Sequence, residues 1–410
     1  MNDQEAAKSE ATASETPTGK LEIDLKQTHQ IAEYKHERAL TTCQLDPQGR
    51  FLFTGAEDLH LYRWNLESGE KTQLTGHRSW VRSIRFSPDG QWCFSAAWDG
   101  QVGCWRTAEE TPQSARMIEA HHGSARWVDV SPCGNLLATC GNDKLVCVWN
   151  IEDGKQVAEF SGHQTHPYAV NFHPSENQLV SQDLMGNVKI WDLASGQEVC
   201  TIKAPIMTGY DTKFAADMGG ARDMQFLGDG SLLASAGITR VVNSFAGQQD
   251  PLIVLFDWKA RQIIRHLRTG DFRGIAWGVR FHPDGFVIGA GASQGGSGAL
   301  WFWHMPDKEP PTEKQAAKAD KPKTEKPKEE TDKEKAARNG PGENPELDRQ
   351  PFHTFKLGKC ARGLSMTPDA QRLAVAHSDG FARIYQLTKP AAKKNKDAAP
   401  GSQTLKYSDR

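Results

Sequence analysis

The sequence predicts an all-β fold built from seven similar units. Three observations support this prediction. The 410 residues include twelve Trp and 37 Gly, a characteristic turn recurs seven times, and His and Trp keep a fixed spacing in the first four units. Large flat side chains together with many tight turns are typical of sheet-rich proteins.

Each unit contains an alternating apolar strand, a turn, a strand of small and apolar residues, an Asp-containing turn and a third strand. The first turn usually has the form of Ser87-Pro88-Asp89-Gly90, in which Pro presets φ and Gly supplies the positive φ of a tight hairpin. The seven turns lie at Pro47, Pro88, Pro132, Pro174, Gly228, Pro283 and Pro368. This regular recurrence indicates an internal repeat.

In each of the first four units a His precedes a Trp by 28 residues. In three of them an Asp lies six residues before the Trp, and a Ser or Thr lies four residues before that Asp. The complete sets are His36, Thr54, Asp58 and Trp64; His77, Ser95, Asp99 and Trp105; and His121, Thr139, Asp143 and Trp149. The fourth unit has His163, Ser181 and Trp191, but Met185 stands at the Asp position.

Gly76-His77, Gly162-His163 and Trp191-Asp192 resemble the signatures of the WD-repeat family, whose repeats are about 40–45 residues long. The resemblance covers residues 26–305 and 351–387. It implies a seven-bladed β-propeller of four-stranded antiparallel blades around a central channel. It also implies that His, Ser or Thr, Asp and Trp form a buried hydrogen-bonded tetrad in each of the first blades, whereas units five to seven lack the His.

The predicted organisation is one propeller over residues 26–387, interrupted by a charged insertion at 306–350. The insertion has 12 acidic and 11 basic residues among 45, so it is expected to be disordered. Residues 1–20 and 388–410 are predicted to be disordered tails, the second of them basic. The segment 30–34 is expected to become the outer strand of the last blade and so to close the ring, which removes exposed edges.

The net charge of −2 gives no global field for nucleic acid or an acidic membrane. Because no signal peptide is visible, we expect a cytoplasmic protein. No Cys-x-x-Cys pair occurs, and His121-His122 and His163-x-x-His166 lack a third ligand of suitable spacing. The sequence therefore predicts neither a metal nor another cofactor.

By the family's geometry, the start of each innermost strand and the residue before each Asp turn face partners on the top of the ring. The predicted partner-binding residues are Thr41, Trp80, Arg82, Trp98, Arg126, His166, Tyr168, Arg222, Trp277 and Arg362. Arg and aromatic residues are enriched at binding hot spots, and guanidinium groups favour carboxylates and phosphates. The structural alternative is that each Arg pairs with a neighbouring acid such as Asp129 or Asp223.

The sequence thus predicts a non-catalytic scaffold that binds other proteins or peptides, including acidic or phosphorylated segments. Two alternatives stay open at this stage. One is a propeller that binds RNA or a small ligand in its channel. The other is a propeller enzyme, although the tetrad positions account for the His and Asp residues that would mimic a catalytic dyad.

Overall fold

The computed structural model describes residues 23–109, 114–243, 248–308 and 344–388. Within these ranges the chain forms strands and three short 3₁₀ helices, and no α-helix occurs there. The strands assemble into seven antiparallel sheets that are arranged as a seven-bladed propeller. The predicted fold class is confirmed.

Each blade has four strands that run from the central channel outward. The innermost strands are β2 (Leu40–Leu45), β6 (Val81–Phe86), β10 (Ala125–Val130), β14 (Pro167–Phe172), β20 (Asp223–Phe226), β24 (Ile275–His282) and β29 (Ala361–Met366). The second strands are β3 (Phe51–Ala56), β7 (Trp92–Ala97), β11 (Leu136–Gly141), β15 (Gln178–Asp183), β21 (Leu232–Asn243), β25 (Phe286–Ala292) and β30 (Arg372–His377).

The outer half of each blade follows the same order. The third strands are β4 (Leu61–Asn65), β8 (Gln101–Arg106), β12 (Val146–Asn150), β16 (Asn187–Asp192), β22 (Gln248–Asp257), β26 (Gly298–His304) and β31 (Phe381–Gln386). The outermost strands are β5 (Lys71–Leu74), β9 (Ser114–Glu119), β13 (Gln156–Phe160), β17 (Gln197–Lys203), β23 (Gln262–Leu267), β28 (His353–Leu357) and β1 (His29–Lys35).

Three strands and three 3₁₀ helices lie outside this plan. They are the hairpin β18 (Thr208–Asp211) and β19 (Ala216–Gly219), the short strand β27 (Asp348–Arg349), and the helices Leu25–Gln27, Pro205–Met207 and Pro306–Lys308.

The ring closes through the N-terminal strand, as the sequence predicts. Strand β1 pairs antiparallel with β31, from His29 opposite Gln386 to Lys35 opposite Phe381. The innermost strands of neighbouring blades contact one another around the whole circle, and β29 of the last blade packs on β2 of the first. The core consists of the apolar residues that these sheets bury between them, such as Phe53, which is fully buried.

Removing β1 is expected to destabilise the propeller strongly. A chain that starts at residue 36 would leave the edge of β31 unpaired and would lose Tyr34, which is buried and donates its hydroxyl to the carbonyl of Leu66. We expect a lower unfolding temperature and aggregation, measured by scanning fluorimetry and light scattering. A chain that starts at residue 23 is the matched control, and equal stability of the two would contradict this role of β1.

The charged insertion at 306–350 is predicted to be disordered, and this prediction is wrong at both of its ends. Residues 306–308 form a 3₁₀ helix, and β27 adds a fifth, parallel strand to the edge of blade five beside β23. Asp348 anchors this strand, since its carboxylate lies 3.0 Å from His266 Nδ1 and 3.1 Å from Arg268 Nε. The rest of the insertion, 309–343, lies outside the described residues, as do the predicted tails except for Thr388.

Candidate functional site

The predicted tetrads are complete in blades two and three. In blade two the ring of His77 lies 2.8 Å from the Ser95 hydroxyl and 3.2 Å from Asp99, and Trp105 Nε1 donates to the same hydroxyl at 2.8 Å. Blade three repeats this arrangement through His121, Thr139, Asp143 and Trp149, with distances of 2.8–3.0 Å. Each tetrad ties the second and third strands, the turn between them and the loop before the innermost strand together.

Blade four contains a complete tetrad that the sequence does not predict. Asp183, two residues before the expected position at Met185, lies 3.1 Å from Nδ1 of His163. The other contacts are the expected ones, because Ser181 Oγ lies 2.7 Å from the His and accepts from Trp191 at 2.8 Å. The prediction that this blade lacks the Asp is therefore wrong: the carboxylate is supplied from the end of β15 instead of the following turn.

In blade one the four predicted residues form two separate pairs. Trp64 donates to Thr54 at 3.0 Å, whereas Nε2 of His36 contacts Asp58 at 2.8 Å. Tyr62 explains the difference, because it lies opposite Thr54, packs against the ring of His36 with 4.3 Å between the ring centres, and donates its hydroxyl to Asp58. The prediction of a complete tetrad in this blade is therefore wrong.

The tetrads make the free energy of unfolding depend on pH in the acid range. Burial raises the pKa of Asp99 and Asp143, but the hydrogen bond to His77 or His121, the charge of that His and two backbone hydrogen bonds together outweigh burial, so each pKa is lowered from 3.8. Because the folded-state pKa is depressed, the stabilisation is present above 3.8 and is lost as the pH falls through the lowered value.

We therefore expect the free energy of unfolding, measured with urea, to fall as the pH drops below 3.8. Asp99→Asn should start from lower stability and show a shallower pH dependence. An unchanged pH profile in that variant would contradict the expectation.

The predicted partner-binding positions of the innermost strands coincide with β-bulges. In six blades the pairing between the innermost and second strands leaves one residue of the innermost strand without a partner. These residues are Thr41, Arg82, Arg126, Tyr168, Trp277 and Arg362. A bulge leaves one residue unpaired and re-aims its side chain. In blade five the equivalent residue, Arg222, directly precedes β20.

These seven side chains line one cavity of about 440 Å³, together with Trp80 and Trp98. The cavity lies at the mouth of the channel, on the face that carries the turns between second and third strands, which we call the top face. Glu57, Trp127 and Ala221 also line it, although they are missing from the predicted set. Glu57 occupies the position before the Asp turn of the first blade, which the repeat also predicts to face the top of the ring, just as Trp98 precedes Asp99. His166 is the one predicted residue that does not line the cavity.

The charges of the cavity are largely uncompensated. Arg362 pairs with Glu57 at 2.5 Å, but Arg82, Arg126 and Arg222 make no ion pair with any described residue. Burial, followed by the charges of Arg222, Arg362 and Arg126, lowers the pKa of Arg82 to about 9. The structural alternative therefore holds for Arg362 and not for the other three.

Aromatic rings hold these three guanidinium groups in place. Arg82 lies 4.9 Å from the ring centre of Trp277 on the opposite side of the mouth, and Arg126 lies 4.1 Å from that of Tyr168. Arg222 stands between the same two rings, 5.0 Å from Tyr168 and 5.6 Å from Trp277. The N–H edges of these cations are thereby oriented without carboxylate partners.

A second layer of side chains closes the channel below the cavity. Asp129 and Asp223, the acids expected to neutralise the upper arginines, instead contact Arg85 at 3.5 and 3.7 Å. Asp223 also binds Arg280. The space between the two layers is about 20 Å³, roughly what one water needs. A ligand would therefore enter the cavity from the top face.

Two buried donors at the cavity lack an acceptor in the described part of the chain. They are Nε1 of Trp127 and Nε of Arg222. A buried N–H without a partner destabilises a protein by roughly 1–3 kcal/mol. Both residues line the cavity.

Other kinds of site find no support in the described ranges. No group of three or more His, Cys, Asp or Glu there could hold a metal ion. No helix there is long and apolar enough to cross a membrane. The absence of a metal, of another cofactor and of catalysis, and the location in the cytoplasm, stay predictions.

The fold and the tetrads define a β-propeller of the WD-repeat class, and comparison with known proteins agrees. The family model "WD domain, G-beta repeat" matches residues 69–106, 112–150 and 154–192. Each match begins at the outermost strand of one blade and ends at the third strand of the next, which is why β1 has to complete the last blade. The chain therefore contains three WD repeats within its seven-bladed propeller.

Curated relatives share parts of this chain. It is 29% identical over 159 residues to Transcription initiation factor TFIID subunit 5 of Caenorhabditis elegans, covering 39% of this chain and 24% of the relative. It is 26% identical over 202 residues to Apoptotic protease-activating factor 1 of Rattus norvegicus, covering 49% and 16%. It is 30% identical over 128 residues to Protein groucho of Drosophila melanogaster, covering 30% and 17%. The matches thus span less than a quarter of each relative.

Proposed function

We propose that this protein is a non-catalytic interaction scaffold whose top-face cavity binds a segment of a partner protein that carries carboxylate or phosphate groups. The observation that carries this proposal is the set of three arginines without a carboxylate partner, oriented into a cavity that is closed below. Guanidinium groups bind such anions through paired, charge-assisted hydrogen bonds.

The energetics of the cavity favour an anionic ligand. Burial, and after it repulsion by the neighbouring arginines, disfavours the charge of Arg82 and lowers its pKa to about 9. An anion would relieve this repulsion, and its oxygens would accept from Arg222 and Trp127, whose buried donors lack acceptors in the described chain. The affinity would therefore come from groups that the free protein leaves unsatisfied.

A protein ligand suits the surface better than RNA does. The net charge of −2 provides no wide basic field for a nucleic-acid backbone outside the cavity. The name of the worm relative describes a subunit of a larger factor, which agrees with a role in an assembly. Fold alone does not name the partner.

The test uses fluorescence anisotropy with three peptide pools and one single-stranded RNA. The pools have random sequences around a central phosphoserine, a central pair of glutamates, or a central pair of glutamines. We expect both anionic pools to bind, the glutamine pool not to bind, and added salt to weaken binding. Equal affinity for all three pools, or tighter binding of RNA with a steep salt dependence, would refute the proposal.

A further inference from the structure

The rim of blade two carries an aromatic ledge, formed by Trp80 and Trp98, beside the arginine cavity. The two ring centres are 5.3 Å apart and the rings are inclined by 35°. The backbone N–H of Trp98 donates to the carbonyl of Trp80, and Trp80 Nε1 donates to the carbonyl of Glu57 at 3.2 Å. The ledge is therefore fixed to two blades before any ligand arrives.

Trp98 is unusually exposed for a large apolar side chain, since 40% of its surface is accessible to solvent. Five other large apolar side chains are exposed in the described ranges, namely Ile31, Val157, Val199, Phe214 and Phe352. None of those five lines the cavity. An exposed Trp at the mouth of a charged pocket is typical of an anchor point for a partner.

The ledge and the anion cavity meet at Arg82. Its guanidinium carbon lies 5.9 Å from the ring centre of Trp98. In an extended segment, side chains two residues apart share a face and are about 6.6 Å apart, since each residue rises about 3.3 Å. One face of an extended peptide can therefore reach both groups.

We propose that the ledge is a second subsite, which takes a large apolar or aromatic side chain two residues from the anionic residue of the partner segment. This rests on the proposed function and narrows it, because anionic segments without such a neighbour would bind more weakly. The three unpaired arginines orient the peptide by its charge, and Trp98 then selects the neighbouring side chain.

The experiment measures four affinities by fluorescence anisotropy. Two Gly/Ser peptides, each with one phosphoserine, carry Trp or Ala two residues away, and each is titrated against the wild-type protein and Trp98→Ala. Aromatic pairs add enough free energy that we expect the wild type to prefer the Trp peptide by about threefold to tenfold. Trp98→Ala should bind both peptides equally, and Trp98→Phe should restore the preference.

Controls separate this inference from the proposed function. Val157→Ala, at an exposed position of β13, should keep the wild-type preference, and all variants should keep the wild-type unfolding temperature. If both peptides bind without a preference, or if Trp98→Ala keeps the preference, the ledge is not a subsite. If neither peptide binds the wild type, both proposals fail. Tighter, Trp98-dependent binding of adenosine monophosphate would also overturn the inference, since it would make the ledge a base-stacking site.

Discussion

Replacing Arg82 and Arg126 together with glutamate is expected to abolish binding of anionic peptides while leaving the propeller folded. Each charge-assisted hydrogen bond contributes roughly 1.5–3 kcal/mol. The loss of two such bonds corresponds to more than about a hundredfold in affinity. The glutamates would add repulsion of the ligand to this loss.

The same substitutions should not lower thermal stability. Neither Arg82 nor Arg126 forms an ion pair with a described residue, and Arg82 is repelled by Arg222 and Arg362. A glutamate at either position would meet positive charge instead of leaving a carboxylate unpaired. We expect the unfolding temperature to stay within a few degrees of the wild-type value, or to rise.

The matched control is the double variant Arg50→Glu and Arg106→Glu, which changes the net charge equally at exposed positions away from the cavity. It should bind the phosphoserine and glutamate pools with nearly wild-type affinity. If the control loses binding as well, a general charge effect is responsible. If the Arg82 and Arg126 variant unfolds at a much lower temperature, these residues are structural.

Replacing Asp183 with alanine is expected to lower the free energy of unfolding by about 3–5 kcal/mol, because it removes one partner of a buried pair. The carboxylate is fully buried and contacts His163, the backbone N–H groups of Met185 and Asn187, and the Asn187 side chain. Alanine would leave several of these donors without an acceptor. Urea unfolding followed by tryptophan fluorescence measures the change.

Met185→Leu tests which residue completes the tetrad of blade four. The repeat spacing assigns the acid position to residue 185, whereas the geometry assigns it to 183. Because leucine keeps the volume and polarity of this partly exposed methionine, we expect a loss below about 1.5 kcal/mol. A larger loss for Met185→Leu than for Asp183→Ala would contradict the assignment.

The repeat made much of the fold predictable from the sequence. The position that faces the channel mouth lies six residues before the turn Pro, or its Gly228 equivalent, in every blade. All seven positions could therefore be located from the turns at Pro47 through Pro368. The same arithmetic missed Asp183, because the spacing of Ser181 and Trp191 is unchanged while the acid lies two residues earlier, at the end of β15. It also predicted a complete tetrad in blade one, where none forms. Tyr62 lies two residues before the tetrad Trp, at a position that Gly103, Cys147 and Lys189 occupy in the next three blades.

Side-chain contacts between distant parts of the chain could not be predicted from the repeat pattern. Arg82 stacks on Trp277 of blade six, and Asp223 binds Arg280 one layer below the site. Such pairings depend on side-chain reach across the ring, which no local pattern encodes. One residue of the sequence indicates strand β27: Leu347 is the only large aliphatic residue in the charged insertion. In the structure its carbonyl accepts a hydrogen bond from the backbone N–H of His266.

The most direct test of the account is to observe the cavity itself while a ligand binds. Protein labelled with 5-fluorotryptophan would be titrated with the phosphoserine peptide pool, and its ¹⁹F spectrum would be assigned through single Trp→Phe substitutions. We expect the resonances of Trp127 and Trp277 to shift, whereas those of the buried Trp301 and Trp303 should not. Binding that leaves Trp127 and Trp277 unperturbed would contradict the claim that the unpaired arginines form the binding site.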